Sequence, residues 1–158
     1  MAPAKPSERD LLTIEAVLAY QFDYRVARAI AGLEGLLVEY SRRGKIKYVY
    51  WGNERILTRR PTDGLFTLSI TAGRIVAANS KTPRFRVIVE KGYRPLGSVL
   101  VKHLVDLDEN LRPGDEVIIV DPGDNLIGVG RLRLPPIIAR NALTGEVVRV
   151  RKKVKKNA

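Results

Sequence analysis

The strongest constraint on the fold is a set of turn signals in the second half of the chain. Arg112-Pro113-Gly114-Asp115 and Asp121-Pro122-Gly123-Asp124-Asn125 bracket the apolar run Glu116 to Val120, and Pro135-Pro136 ends the next run, Leu126 to Leu134. Proline sets φ for a turn and glycine supplies positive φ, so these segments interrupt regular structure. The runs between them are too short for packed helices and suit strands. Phe85 to Val89 is a further strand. Glu146 to Val154 alternates, with Val148, Val150 and Val154 facing in and Arg149, Arg151 and Lys153 facing out. Gly97 to Leu104, after Pro95, reads as a short helix or turn. Gly128 and Gly130 inside a strand permit a bend or a close backbone approach. Short strands with turns at this spacing predict a small β-barrel.

The first half has another rhythm. Leu11, Ile14 and Leu18, with Val17 or Tyr20, share one face of a helix over Asp10 to Tyr20. Ser7 is its N-cap, with Asp10 three residues on. A second helix covers Tyr24 to Ala31, and Gly35 to Tyr40 fits a strand or a helix end. Ile46 to Trp51 alternates, placing Ile46, Tyr48 and Tyr50 on one side and Lys47, Val49 and Trp51 on the other. Arg55 to Arg59 completes a hairpin, Leu65 to Ile70 is a third strand, and Thr71 to Ala78 a short helix. The polar segment Asn79 to Pro83 marks the boundary. The fold class is therefore α+β: an N-terminal α/β domain over residues 1–83, then a small β-barrel over 84–158 with a basic C-terminal tail.

Charge indicates the kind of partner. The 28 Lys and Arg outnumber the 17 Asp and Glu among 158 residues, a formal net charge of +11. A surplus of this size favours a polyanion. Residues 1–83 carry net +5 and residues 84–158 net +6. Arg149, Arg151, Lys152, Lys153, Lys155 and Lys156 form one run without an acidic residue, and Arg42, Arg43, Lys45 and Lys47 surround the Gly44 turn. The stretch from Asp106 to Asp124 is acidic, with Arg112 its one cation. Tyr48, Tyr50 and Trp51 beside the second run are expected to pack in a sheet core, base stacking being the alternative.

The chain has no cysteine, which excludes zinc ribbons, thiolate nucleophiles and disulfide frameworks. No run of about 18 apolar residues occurs, so no helical membrane span is expected. The first residues lack the apolar core of a secretory signal. A cytoplasmic protein is the expectation. One glutamine, one methionine and many charged residues suggest a thermophile. Asp106, Asp108 and Glu109 sit beside turns with no basic partner to suggest a tuned catalytic pair. His103 has no nucleophile partner, and Gly128-Val129-Gly130 lacks the third glycine and helix of a dinucleotide site. No cofactor and no catalytic residue are expected.

Several blocks in order, Gly97-Ser98-Val99-Leu100-Val101-Lys102-His103, Leu111 to Val117, Val120-Asp121, Gly128-Val129-Gly130-Arg131 and Gly145-Glu146-Val147-Val148, resemble a PUA domain over residues 84–154. Val17 to Phe22, Ser41 to Ile46 and Arg60-Pro61-Thr62-Asp63-Gly64-Leu65-Phe66-Thr67-Leu68 resemble the region before the PUA domain of archaeal tRNA-guanine transglycosylase. Asp23-Tyr24-Arg25 departs from a glycine-rich turn usual there. The resemblance implies a pre-PUA domain followed by a PUA-type barrel, freed from the catalytic barrel of that family. The family exchanges a guanine in the tRNA D-loop on the way to archaeosine. Its PUA domain grips the acceptor stem and 3′ end. By this resemblance Arg94, Lys102, His103, Arg131, Arg133, Arg149, Arg151 and Lys152 are RNA-binding candidates, joined on charge grounds by Arg42, Arg43, Lys45 and Lys47. The expected function is a non-catalytic, tRNA-binding accessory or subunit for archaeosine-type tRNA modification, working with a separately encoded transglycosylase. The alternative is a free-standing PUA protein that binds rRNA or initiator tRNA in ribosome biogenesis or translation.

Overall fold

The computed structural model describes residues 2–155; Lys156, the end of the terminal basic run, lies outside them. The chain divides into two compact units, Met1–Ile75 and Val76–Ala158.

The first unit opens with α1 (Glu8–Gln21) and α2 (Tyr24–Ala31). Ser7 caps α1 through a reciprocal box: its hydroxyl accepts from the Asp10 amide at 3.0 Å and Asp10 accepts from the Ser7 amide at 2.9 Å. Asp23 caps α2 by accepting from the Val26 amide. This local contact stands where a glycine-rich turn was expected. The buried stripe of α1 is Ile14 and Leu18, whereas Tyr20 is 82% exposed and does not join it. Four strands follow in meander order: β1 (Leu36–Tyr40), β2 (Ile46–Trp51), β3 (Glu54–Arg59) and β4 (Phe66–Leu68). Gln21, the one glutamine, donates to the Phe66 carbonyl and accepts from the Phe66 amide, completing the edge strand from α1. Helix α3 (Ile70–Ala78) follows.

The alternation expected of β2 is broken. Ile46 and Val49 are buried together, although strict alternation puts them on opposite faces. Two bulges are the reason. Tyr40 pairs with Ile46 while Glu39 pairs with Tyr48, leaving Lys47 as the extra residue. Val49 pairs with Leu57 while Tyr50 pairs with Arg55, leaving Ile56 as the extra residue. A bulge inserts one residue and re-aims its neighbours.

The second unit is a curled six-stranded sheet with order β6-β10-β9-β8-β5-β7. Its strands are β5 (Arg86–Val89), β6 (Ser98–Leu100), β7 (Leu104–Leu107), β8 (Glu116–Val120), β9 (Leu126–Leu132) and β10 (Glu146–Lys153). Among the described residues only β5 and β8 pair in parallel. The segment read as helix or turn from Gly97 to Leu104 is β6 followed by a single 3₁₀ turn, Val101–His103. β9 ends at Leu132, short of the Leu134 expected, and Pro136 opens a short helix, α4 (Pro136–Asn141), as proline can at a first helical position. Val87, Val99, Leu107, Val117, Ile119 and Val147 lie among the residues that fill the core.

Arg86 is the largest fully buried side chain among the described residues. Its Nε and Nη2 donate to both carboxylate oxygens of Asp124 at 2.7 and 3.0 Å. The remaining donors reach Ser80 Oγ and the carbonyls of Arg84, Ala77 and Ser80. The Ala77 carbonyl is one of those a helix leaves unpaired at its C-terminus, so Arg86 caps the last turn of α3, all within the second unit.

Candidate nucleic-acid interface

The basic surface of the second unit is built on the β9–β10 ladder. A Cβ on Gly130 would come within 2.3 Å of the Arg149 carbonyl, and one on Gly128 within 2.6 Å of the Lys152 carbonyl. Glycine at both positions lets β10 lie close, and β10 then presents its cations along the sheet. A bulge at Arg151, between Val150 and Lys152, displaces that residue from the ladder.

The candidate cations fall into two groups. Arg151 donates from both guanidinium nitrogens to the buried carboxylate of Glu116, from Nη1 at 2.8 Å. Arg149 donates to Glu146 at 3.1 Å, and Arg133 lies 3.5 Å from the same carboxylate. Ser98 Oγ also donates to Glu146. The hydrogen bonds from Arg149 and Ser98 outweigh the effect of burial and hold the Glu146 carboxyl below its ordinary range. The second group is Arg94, Lys102, Arg131 and Lys152. All four are exposed, and none has a salt-bridging carboxylate among the described residues. His103 differs again. Its ring stacks on Tyr93 at 4.0 Å between centroids, and Nδ1 lies 3.1 Å from Glu90. One face of the imidazole is therefore already covered.

Beside Arg94 an open groove of about 300 Å³ runs between Leu96, Ile127, Lys153 and Lys155. Its floor is apolar and its rim cationic. Nothing in the residue pattern marked Leu96 and Ile127 as neighbours, because they come from a loop and a strand far apart in the chain.

The acidic stretch proves to be paired. Arg140, on α4, donates to Asp106 at 2.7 Å and to Glu109 at 2.5 Å, which corrects the expectation of no basic partner. The partner was invisible in sequence because it lies 34 residues from Asp106. The Arg140 guanidinium titrates above its usual range, chiefly through the hydrogen bond to Glu109. Asp108 is buried and accepts from the amides of Phe85 and Asn110, shaping the loop. Among the described residues no three His, Cys, Asp or Glu side chains converge to hold a metal ion. Among the described residues no helix is long and apolar enough to cross a membrane.

In the first unit, Arg42, Arg43 and Lys45 lie exposed on the β1–β2 turn, and Lys47 follows on β2. Gly44 has φ +77°, which lets the turn close with the Gly44 amide donating to Ser41. Tyr48 and Tyr50 are half-buried and Trp51 is 38% exposed, its Nε1 donating to the Glu34 carbonyl. None of the three aromatics is a core residue, contrary to expectation, because the bulges turn Ile46, Val49 and Ile56 inward instead.

The chain is 30% identical over 151 residues to the tRNA-guanine(15) transglycosylase of Methanobrevibacter smithii, covering 93% of this chain and 23% of that protein. The chain thus spans about a quarter of the length of the curated relatives it matches. Among solved structures, a hypothetical protein of the hyperthermophilic archaeon Pyrococcus horikoshii shares the fold with TM-score 0.73 at 20% identity, covering 98% of this chain and 95% of that one. A conserved PUA domain protein of Thermoplasma acidophilum matches with TM-score 0.66 at 16% identity, covering 96% and 93%. The model of the PUA domain matches residues 87–154. The model of the patch-forming domain C2 of tRNA-guanine transglycosylase matches residues 12–90. With helices α1 and α2 and the bulged meander in the matched region and the curled sheet following it, the chain belongs to the family of the tRNA-guanine transglycosylase patch-forming domain C2, joined here to a PUA domain.

Proposed function

We propose that this chain is a non-catalytic RNA-binding protein whose preferred ligand is tRNA, taken at the acceptor stem and 3′ end by the second unit. The observation that carries the reading is the set of exposed cations without carboxylate partners, Arg94, Lys102, Arg131 and Lys152, on a PUA domain. Such side chains neutralise phosphates and release counterions, giving affinity with little sequence reading. The apolar groove beside Arg94 suits an unpaired 3′ nucleotide, because single-stranded ends expose base faces. Arg133, Arg149 and Arg151, held by Glu146 and Glu116, shape the surface and make secondary contacts. The absence of cysteine supports the non-catalytic reading, since it leaves the chain without a thiolate nucleophile or thiolate metal ligands. An accessory role beside a separately encoded transglycosylase, in archaeosine-type modification, fits the match to part of such enzymes. A second reading, a free-standing protein acting on rRNA or initiator tRNA, is favoured by the occurrence of this two-unit fold over nearly the whole of other chains.

Fluorescence anisotropy with labelled tRNA tests the proposal. Arg131→Glu with Lys152→Glu is expected to weaken binding at least tenfold while the circular dichroism spectrum is retained. Four phosphate contacts predict that affinity drops roughly fifty- to 150-fold between 50 and 200 mM salt. Unchanged binding by the double variant refutes the assignment. Binding of tRNA trimmed of its 3′ end as tightly as intact tRNA, with tighter binding of rRNA fragments, favours the second reading. Guanine exchange into tRNA by the chain alone would overturn the non-catalytic part.

A further inference from the structure

The hairpin of β2 and β3 carries a cluster that its own sheet does not require. In an unbroken ladder the residue opposite Tyr50 would be Ile56. The bulge tucks Ile56 into the core, where it is fully buried, and brings Arg55 opposite Tyr50 instead. The other bulge frees Lys47 from strict alternation. Both cations end on the same ring: the Arg55 guanidinium carbon lies 3.7 Å from the Tyr48 centroid and Lys47 Nζ lies 5.1 Å from it. Tyr50 stands edge-on to Tyr48 with centroids 6.3 Å apart, and Glu39 holds it by accepting from its hydroxyl at 3.1 Å.

The surroundings are cationic. Residues 41–60 contain seven Lys and Arg and one acidic residue, Glu54. Glu54 accepts from the Thr71 hydroxyl. Arg42, Arg43, Lys45, Lys47 and Arg55 are all exposed and have no salt-bridging carboxylate among the described residues. Lys45 is three residues from Tyr48, about 10 Å along a strand. A guanidinium lying over an aromatic ring offers a planar group against which a nucleobase stacks, and the adjacent cations match a phosphate backbone. A paired base in a duplex has its faces covered by neighbours, so the ligand must be unpaired.

We propose that Tyr48, Arg55 and Lys47 form a stacking subsite for an unpaired RNA nucleotide, with the Arg42–Lys45 turn taking the flanking phosphates. This deepens the RNA-binding reading by giving the first unit a ligand class of its own, and it rests on that reading.

The test compares the full chain with Arg55→Ala, Arg55→Lys and Tyr48→Phe, using a labelled short oligoadenylate and a blunt duplex RNA of equal charge. Arg55→Ala is expected to weaken oligoadenylate binding about tenfold, the effect of losing one stacked base. Arg55→Lys keeps the charge but not the planar surface, so it should lose most of the same affinity. Tyr48→Phe keeps the ring and should bind within twofold of the parent. Duplex binding should stay within twofold for all three. Oligoadenylate binding left intact by Arg55→Lys overturns the proposal, because charge alone then suffices. Equal losses on both RNAs overturn it for the same reason, as does equal competition by polyglutamate, which marks an electrostatic surface only. If Arg55 variants change nothing but Arg131→Glu with Lys152→Glu still abolishes tRNA binding, the subsite fails and the broader function stands. No binding of either RNA by the parent chain overturns both.

Discussion

Replacing Arg86 by methionine should be among the most damaging single changes to the second unit. Its guanidinium has every N–H engaged and no exposure to water. Methionine fills much of the volume but donates nothing. The carbonyls of Ala77 and Ser80 then lose their partner, and a stranded buried acceptor costs about 1–3 kcal/mol. Asp124 loses its counter-ion, but its side chain is 40% exposed, so water takes over much of that role. Apolar packing by methionine offsets part of the loss. The expected net destabilisation is about 2–4 kcal/mol, set by the stranded carbonyls rather than by loss of the ion pair. Asp124→Asn leaves Arg86 charged and dry with neutral acceptors only, and should cost about 1.5–3 kcal/mol. Asparagine is the suitable replacement because Asp124 has φ +63°, a conformation that it tolerates. The double variant should be no less stable than Arg86→Met alone, since Asp124 serves only Arg86. Urea unfolding followed by circular dichroism measures all three. For a cooperative unit of about 80 residues each kcal/mol also moves Tm by about 4–8 °C. A loss below about 1 kcal/mol for Arg86→Met, or additivity of the two changes within about 0.5 kcal/mol, would refute the reasoning.

Two further outcomes follow from the geometry. Gly130→Ala should destabilise the second unit by more than about 2 kcal/mol, because its Cβ would meet the Arg149 carbonyl at 2.3 Å, whereas Gly97→Ala meets nothing within 4 Å and should stay within about 0.5 kcal/mol; equal urea midpoints for the two variants would contradict this. Acid should weaken both units. Burial raises the Asp10 pKa, but hydrogen bonds from Tyr40 and Ser7 outweigh it, and Glu146 is lowered by Arg149 and Ser98. A carboxyl whose folded pKa lies below its unfolded value stabilises the fold above the unfolded pKa and loses that contribution as pH falls through the folded one. Stability should therefore decline from about pH 4 downward, and an unchanged urea midpoint between pH 6 and pH 3 would count against it.

The fold class and the order of its parts are local properties, and the residues stated them. The Ser7–Asp10 box, the Pro-Gly turns and the apolar run Glu116–Val120 each act within a few neighbours, so α1, β8 and the turns around it were legible. The family resemblance followed from the same turns and glycines. What depends on partners distant in the chain was not legible. Arg86 looked like any other cation until Ala77, Ser80 and Asp124 closed around it, and Arg140 like a helix residue until it met Asp106 and Glu109. Eleven Lys and Arg residues and His103 were candidates for the interface from sequence, but residue type does not reveal which have a carboxylate within reach. Arg151 finds Glu116 across the sheet while Lys152, next in sequence, faces solvent alone. The bulges are the clearest case. Alternation is a property of one strand, whereas a bulge depends on register between two, so only the paired sheet could turn Tyr48 outward and set Arg55 over its ring.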